Sequence, residues 1–299
     1  CHVGGRNSSV TNESAATMKT TTVIHTGLQF GEGPRWHEGK LWFSDFFRYG
    51  VFTLDSEGNE ERILTVEARP SGLGWLPNGD LLVVSMADKQ LLRFDGHETV
   101  LHADLSGVSE FDCNDMVVGP DGTAYVSIFG FDIHADTPVE PQAAHLVVVS
   151  PDGTVRTTNK DLMFPNGSVI TPDGSTLIVG ESYGRRYSAY RITDDGMAVE
   201  HRVWADLGDL IPDGCCLDAE GMIWFADPVH KKVVRVREGG EVVDEISTDQ
   251  SAVACMLGGD DGSILYVLTS RGTHPERVDG TSTGRVEIAQ VDVPGAGWP

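Results

Sequence analysis

Residues 211–227 read IPDGCCLDAEGMIWFAD, and the plan of this segment returns along the whole chain. A polar residue, here Asp213, is followed by small residues, a glycine-containing turn and a short apolar strand. Apolar strands of this kind begin at residues 41, 81, 124, 177, 223 and 264. Repeats of about 40 to 50 residues built from short strands are typical of a β-propeller.

Each repeat continues with a third strand, and each first strand is rich in small residues, which suits strands that crowd around a central axis. The stretch TTVIHTG at 21–27 reads as a strand that joins the last repeat and closes the ring, so that no open sheet edge remains. We therefore predict an all-β fold, a six-bladed β-propeller with a central metal site, as a single domain over residues 18–299. Residues 1–17 are expected to be a disordered leader or a remnant of cloning.

One polar position recurs ahead of the apolar strands. Counting back nine to eleven residues from each strand reaches Glu32, Ser71, Asn114, Asn166, Asp213 and Ala254. Four of these six side chains carry a carboxylate or amide oxygen. Because the inner strands of a propeller begin at one mouth of the channel, we expect these four to converge there, with the strand-end carboxylates of Asp45, Glu181 and Asp227 nearby.

Converging carboxylates repel one another unless a cation neutralises them. The predicted metal ligands are therefore Glu32, Asn114, Asn166 and Asp213, a set of hard oxygen donors. Ca²⁺ fits this set best, and Mg²⁺, Mn²⁺ and Zn²⁺ are alternatives.

Composition narrows the possible partners and the compartment. With 22 basic and 45 acidic residues the net charge is −23, which argues against nucleic acid or an anionic membrane as a partner. No apolar run approaches the roughly 18 residues that span a bilayer, and residues 1–17 lack the apolar core of a secretion signal. Five irregularly spaced cysteines do not form a disulfide framework, so a cytoplasmic location is expected.

Four motifs together resemble one known family. They are GEGPRW at 31–36, CND at 113–115, FPNG at 164–167 followed by TPDGSTLIVGES, and the opening segment at 211–227. In this order and spacing, from about Gly27 to Thr269, the chain resembles the SMP-30/gluconolactonase/luciferin-regenerating enzyme family.

The resemblance implies a six-bladed propeller that hydrolyses lactones with a divalent metal at the central mouth. It places the family's metal ligands on Glu32, Asn166 and Asp213. It also puts the family's Asn beside metal and substrate on Asn114, and the usual general base on Asp213.

Two departures bear on the substrate. Sugar lactonases of the family often have Arg two residues before that Asn, where this chain has Asp112, and another shortly before the GE motif, where it has Gln29 and Phe30. These departures argue against a sugar lactone as the substrate. An apolar pocket is favoured by the aromatic residues Phe30, Phe111, Phe129 and Phe131.

The leading hypothesis is metal-dependent hydrolysis of a small-molecule lactone or related ester, with Asp213 and Glu32 as catalytic residues. Predicted substrate contacts are Asn114, Asp112, Phe131 and His134. His134 and His274 lie on the long segments 129–145 and 271–284, which are candidate pocket walls. Two alternatives stay open: an organophosphate or phosphotriester hydrolase at the same metal, and a non-enzymatic calcium-binding propeller. The sequence does not indicate an oligomeric state.

Overall fold

The structure is a computed structural model that describes residues 19–133, 135, 139–272 and 278–297. Within these residues, 24 strands form six four-stranded antiparallel sheets. Each sheet is one blade. In five blades the strands follow one another in chain order from the central channel outward, and in the sixth the first strand of the chain is the outermost one. The predicted six-bladed β-propeller is confirmed.

Blades one to three are formed by strands β2 to β13, within residues 31–157. Blade one contains β2 (Gly31–His37), β3 (Lys40–Asp45), β4 (Gly50–Leu54) and β5 (Glu60–Thr65). Blade two contains β6 (Pro70–Trp75), β7 (Leu81–Ser85), β8 (Gln90–Phe94) and β9 (Thr99–Asp104). Blade three contains β10 (Cys113–Val118), β11 (Ala124–Ile128), β12 (Leu146–Val149) and β13 (Val155–Thr157).

The remaining blades complete the ring. Blade four contains β14 (Pro165–Ile170), β15 (Thr176–Glu181), β16 (Arg186–Ile192) and β17 (Ala198–Asp206). Blade five contains β18 (Cys215–Leu217), β19 (Ile223–Asp227), β20 (Lys232–Val236) and β21 (Val242–Ser247). Blade six contains β22 (Ser251–Gly258), β23 (Ile264–Ser270) and β24 (Gly284–Gln290), and its outermost strand is β1 (Thr22–Leu28).

The ring is closed by strands from both ends of the described chain. As expected from the stretch at 21–27, β1 pairs antiparallel with β24. Each innermost strand also contacts the innermost strand of the next blade, and β22 contacts β2. Closure leaves no gap at the channel, so side chains from different blades can be held at fixed distances there.

Small residues line the channel because the inner strands approach closely. A Cβ added at Gly72 on β6 would lie 2.3 Å from the backbone nitrogen of Met116 on β10. Apolar side chains pack between neighbouring blades, including Phe43, Phe225 and Trp224, which are almost fully buried. The core is therefore distributed between the blades around the channel.

The long segments at 129–145 and 271–283 stand in the chain between the second and third strands of blades three and six, and part of each lies outside the described residues. In the described residues, no helix has the length and apolar character needed to cross a bilayer.

Candidate functional site

A cavity of about 260 Å³ opens at one mouth of the central channel. Its polar lining includes all four predicted metal-binding residues, Glu32, Asn114, Asn166 and Asp213. They come from blades one, three, four and five, so no local stretch of sequence contains the site. The propeller is what brings them to one place.

β-Bulges place three of these side chains. The pairing of the inner strand with the second strand is irregular between Glu32 and Arg35, between Cys113 and Met116 and between Pro165 and Ser168. A bulge adds a residue to one strand, bends it and re-aims a side chain, and bulges are frequent beside active sites. Glu32 lies at the first of these irregularities, and Asn114 and Asn166 lie within the other two.

Asp213 is placed differently, because it stands ahead of the short strand β18. Its backbone N–H donates to the carbonyl of Ala226 at 2.9 Å, and the N–H of Gly214 donates to the carbonyl of Val253 at 2.9 Å. These two bonds tie the segment to its own blade and to blade six. The Asp213 side chain is partly buried and faces the cavity.

The strand-end carboxylates Asp45, Glu181 and Asp227 are fully buried. Each accepts backbone hydrogen bonds from the segment just before the inner strand of its own blade. The bonds come from Gln29 at 2.8 Å and Phe30 at 3.1 Å to Asp45, from Met163 at 2.7 Å to Glu181 and from Ile211 at 3.2 Å to Asp227. These carboxylates therefore fix the segments that carry Glu32, Asn166 and Asp213 into the cavity.

The two carboxyl groups of the site are held in an environment that disfavours their charge. Burial, followed by the negative charges of Asp213 and Asp115, raises the pKa of Glu32 well above its usual value. Burial is also the largest cause that raises the pKa of Asp213 to about 8, against a hydrogen bond from Asn166. A cation beside these groups would remove this penalty.

A buried ion pair lies next to the site. The guanidinium of Arg35 donates to Asp115 Oδ1 at 3.4 Å, to the carbonyl of Pro34 at 2.8 Å and to the carbonyl of Met116. Arg35 and Asp115 are both buried. The sequence predicts no role for either residue, because the two are 80 positions apart in the chain.

The donor set fits a hard divalent cation. Asn114 Nδ2 lies 3.5 Å from Asn166 Oδ1, so the two amides are adjacent. Asn166 Nδ2 also donates to Ser182 Oγ at 3.2 Å, and Ser182 in turn donates to the carbonyl of Pro212 at 2.7 Å. Ser182 thus links the Asn166 segment to the Asp213 segment and orients the amide.

Carboxylate and amide oxygens are the ligands that Ca²⁺ and Mg²⁺ prefer, whereas structural zinc sites use His and Cys. Within the described ranges, no cluster of three or more His, Cys, Asp or Glu side chains has a metal-binding arrangement, and the channel mouth combines two carboxylates with two amides. The oxygen donors of the channel mouth therefore match Ca²⁺ better than Zn²⁺.

The predicted substrate contacts are only partly brought to the cavity. Phe131 and Asn114 line it. Asp112 is not among its lining residues and is connected to it through Arg69, whose Nη2 donates to Asp112 Oδ2 at 2.7 Å. His134 and His274 lie outside the described residues. Of the aromatic residues predicted for the pocket, Phe30, Phe129 and Phe131 line it and Phe111 does not.

Arg69 lines the cavity, but the sequence prediction did not include it, although its position in the repeat indicates its place. It lies two residues before Ser71, the same offset that separates Phe30 from Glu32, Asp112 from Asn114 and Phe164 from Asn166. Blade two therefore supplies an arginine beside the place where blade three has Asp112.

The chain is similar to known lactonases over nearly its whole length. The family described as SMP-30/Gluconolactonase/LRE-like region matches residues 30–271. Pentonolactonase XacC of Haloferax volcanii is 24% identical over 292 residues, which cover 94% of this chain and 97% of the relative. 6-Deoxy-6-sulfogluconolactonase of Pseudomonas putida is 24% identical over 288 residues, which cover 93% and 96%.

A solved structure shares the fold. The calcium-binding protein regucalcin from Agrobacterium tumefaciens superposes with a TM-score of 0.78 at 22% identity, covering 94% of this chain and 97% of its own. The match to the family extends over most of the chain and includes Glu32, Asn114, Asn166 and Asp213. The resemblance seen in the sequence motifs is confirmed, and the chain belongs to the SMP-30/gluconolactonase/LRE-like family.

Proposed function

We propose that this chain is a divalent-cation-dependent hydrolase that opens a lactone or a related ester. One observation carries the proposal: Glu32 and Asp213, both with raised pKa values, lie beside two amides at the end of a cavity. Such a group of buried acids is stable at neutral pH when a cation compensates it. The full-length relatives named as lactonases support the reaction class.

Glu32, Asn114, Asn166 and Asp213 would hold the cation, for which Ca²⁺ is the best candidate. When bound, a cation supplies positive charge that polarises the substrate carbonyl and stabilises negative charge on its oxygen.

Asp213 is the proposed general base. It accepts a proton from the attacking water, whose oxygen bonds to the acyl carbon. The bond from the acyl carbon to the ring oxygen then breaks, and Asp213 returns the proton it accepted to that oxygen, which becomes the hydroxyl of the hydroxy acid. Glu32 lies beside Asp213 and orients the water, while Asn114 and Asn166 position the carbonyl.

The compartment is a second, independent part of the proposal. Cys113, Cys215, Cys216 and Cys255 are free and buried. Unpaired thiols support a reducing, cytoplasmic environment.

The test is a panel of lactones, aryl esters and paraoxon, assayed before and after EDTA treatment and again after calcium is restored. We expect lactone turnover that EDTA abolishes and calcium restores. Asp213→Asn should lower kcat about 10²-fold or more, as for loss of a general base. Asp209→Asn is the matched control, since the Asp209 side chain is 94% exposed.

Turnover that persists after chelation and in Asp213→Asn would contradict the proposal. Preferential turnover of paraoxon would instead identify a phosphotriester hydrolase. Tight calcium binding without turnover of any compound would identify a binding protein.

A further inference from the structure

Most of the cavity lining is apolar, although its far end carries the polar groups described above. Among the described residues, nine of the lining side chains are aromatic or aliphatic, and Arg69 is the one basic side chain. The apolar residues form two walls. One wall comes from blades three and four, and Met86 of blade two packs in the same apolar cluster as its Phe129. The other wall comes from blade one.

The first wall is a cluster of four rings: Phe129, Phe131, Phe164 and Tyr183. The Phe164 ring lies 4.9 Å from Phe129, 5.8 Å from Phe131 and 4.9 Å from Tyr183, measured between centroids. Phe131 and Tyr183 stack at 5.6 Å with an interplanar angle of 17°. Tyr183 is 52% exposed, so this wall extends from the cavity to the solvent.

The second wall is formed by Phe30, Phe46 and Phe47. The Phe30 and Phe46 rings are 5.2 Å apart and the Phe46 and Phe47 rings 6.4 Å apart. Phe46 and Phe47 directly follow β3 and are only partly buried. They therefore retain apolar surface that a ligand can cover.

Phe164 is held in an unusual backbone conformation. Its φ is +58°, in the left-handed region that bulky residues avoid, and it precedes Pro165 and Asn166. Strained residues persist where the surrounding structure over-determines them, and they cluster at functional sites. Arg69 stands in the same place of blade two with a φ of +68°. In both blades the residue before the proline lines the cavity.

The positive charge of Arg69, the basic side chain of the cavity lining, is compensated within the protein. The Arg69 guanidinium pairs with Asp112 at 2.7 Å, and both side chains are mostly buried. Apart from the Tyr183 hydroxyl and the Arg69 guanidinium, the side chains of the two aromatic walls and Met86 have no group that could hydrogen-bond to a ligand hydroxyl. A polyhydroxylated substituent there would lose hydrogen bonds to water, whereas an aryl or alkyl substituent would bury apolar surface.

We propose that this cavity selects lactones or esters that carry an aryl or branched alkyl substituent, and that it discriminates against polyhydroxylated sugar lactones. The inference rests on the proposed hydrolase function and names its substrate class. The aromatic walls hold the substituent, while the polar end of the cavity receives the carbonyl. Each unsatisfied hydroxyl should weaken the productive complex by about tenfold.

The test uses three lactones with the same six-membered ring: δ-valerolactone, 5-phenyl-δ-valerolactone and D-glucono-δ-lactone. With saturating calcium, we expect kcat/KM to be at least about tenfold higher for the phenyl compound than for the bare ring. D-Glucono-δ-lactone should be the poorest of the three. A higher kcat/KM for D-glucono-δ-lactone than for the phenyl compound would overturn the inference.

Variants from both walls locate the effect. Phe131→Ala and Phe47→Ala should each lower the ratio of kcat/KM for the phenyl compound to that for the bare ring by about tenfold. Phe94→Ala is the matched control, because Phe94 lies on β8 and is not among the residues lining the cavity. Circular dichroism verifies that each variant is folded. A ratio that both wall variants leave unchanged would refute the assignment of the walls.

Binding separates this inference from the proposed reaction. If none of the lactones is hydrolysed, the proposed function fails, and calorimetry with the non-hydrolysable lactams still decides the specificity. The phenyl-substituted δ-lactam should bind at least about tenfold more tightly than gluconolactam, with a negative heat-capacity change. Tighter binding of gluconolactam, or equal binding of both, would overturn the inference.

Discussion

Gly167 is the residue at which a single added methyl group should damage both the fold and the candidate metal site. It follows Asn166 on β14, and its φ is outside the left-handed region, so alanine is compatible with the backbone. An added Cβ would lie 2.6 Å from the Asp213 carbonyl oxygen, 2.7 Å from the Cys215 nitrogen and 2.9 Å from Gly214 Cα. These are backbone atoms, which cannot rotate away.

The magnitude follows from these distances. Ordinary contacts of a Cβ begin at 3.4 Å, so β14 and the Asp213 segment must separate by roughly 0.8 Å. Overpacking of this kind costs about 1–3 kcal/mol. At about 2–4 °C per kcal/mol for a chain of this size, Gly167→Ala should lower Tm by roughly 2–12 °C.

The same separation moves Asn166 away from Asp213. Metal sites tolerate changes in ligand distance of only about 0.2 Å. We therefore expect calcium affinity to fall at least about tenfold, which corresponds to a loss of roughly 1.4 kcal/mol of binding free energy.

Thermal unfolding and calorimetric calcium titration measure both effects. Gly107→Ala is the matched control, because an added Cβ there meets no atom within 4 Å and Gly107 also has a φ outside the left-handed region. The reasoning is refuted if Gly167→Ala and Gly107→Ala have the same Tm and the same calcium affinity.

Two further predictions concern charge. Because the Asp213 pKa is raised to about 8, the folded cation-free protein holds that proton more tightly than the unfolded chain, so its free energy of unfolding should fall as pH rises from about 4 to 8. Calcium binding must displace this proton. If one proton is displaced, the affinity of the protein for calcium should be about 50-fold lower at pH 6 than at pH 8. Calorimetric calcium titrations at the two pH values test this, and an affinity that does not change with pH would contradict it. Arg35→Met leaves Asp115 buried without its ion-pair partner and should lower the free energy of unfolding by about 3–5 kcal/mol. Arg191→Met, at an exposed pair with Glu200, should cost at most about 1 kcal/mol in the same denaturant titration, and equal losses would contradict the buried role.

The blade plan could be predicted because each blade repeats the same local chemistry. Glycine-containing turns and short apolar strands recur at similar spacing, and the closing strand at 21–27 is rich in the β-branched residues Thr, Val and Ile. Glu32, Asn114, Asn166 and Asp213 occupy the same position of their repeats. Because the inner strands all begin at the same mouth of the channel, this shared position predicted that the four side chains line one cavity. These features depend on spacing along the chain, which is visible in the sequence.

The aromatic walls depend on turn geometry. Phe46, Phe47 and Tyr183 come just after second strands, where the direction of a side chain is set by the turn that follows. Counting positions ahead of those strands could not find them. The residue directly after each second strand is another recurring position of the repeat, and Phe46 and Met86 occupy it in blades one and two.

Pairs between blades were missed for another reason. Arg69 with Asp112 and Arg35 with Asp115 are separated by 43 and 80 residues in the chain. Arg69 and Asp112 precede the inner strands of neighbouring blades, whereas Arg35 reaches Asp115 past the inner strand of blade two. A single sequence shows that the charges exist but not which of them meet.

We propose that Glu32, Asn114, Asn166 and Asp213 together hold one cation and that hydrolysis depends on it. The most direct measurement titrates EDTA-treated protein with calcium while calorimetric binding and turnover of 5-phenyl-δ-valerolactone are followed on the same sample. We expect one high-affinity calcium per chain, turnover that rises in proportion to its occupancy, and loss of both in Asp213→Asn. Full turnover before calcium is added, or an unchanged binding isotherm in Asp213→Asn, would contradict the claim.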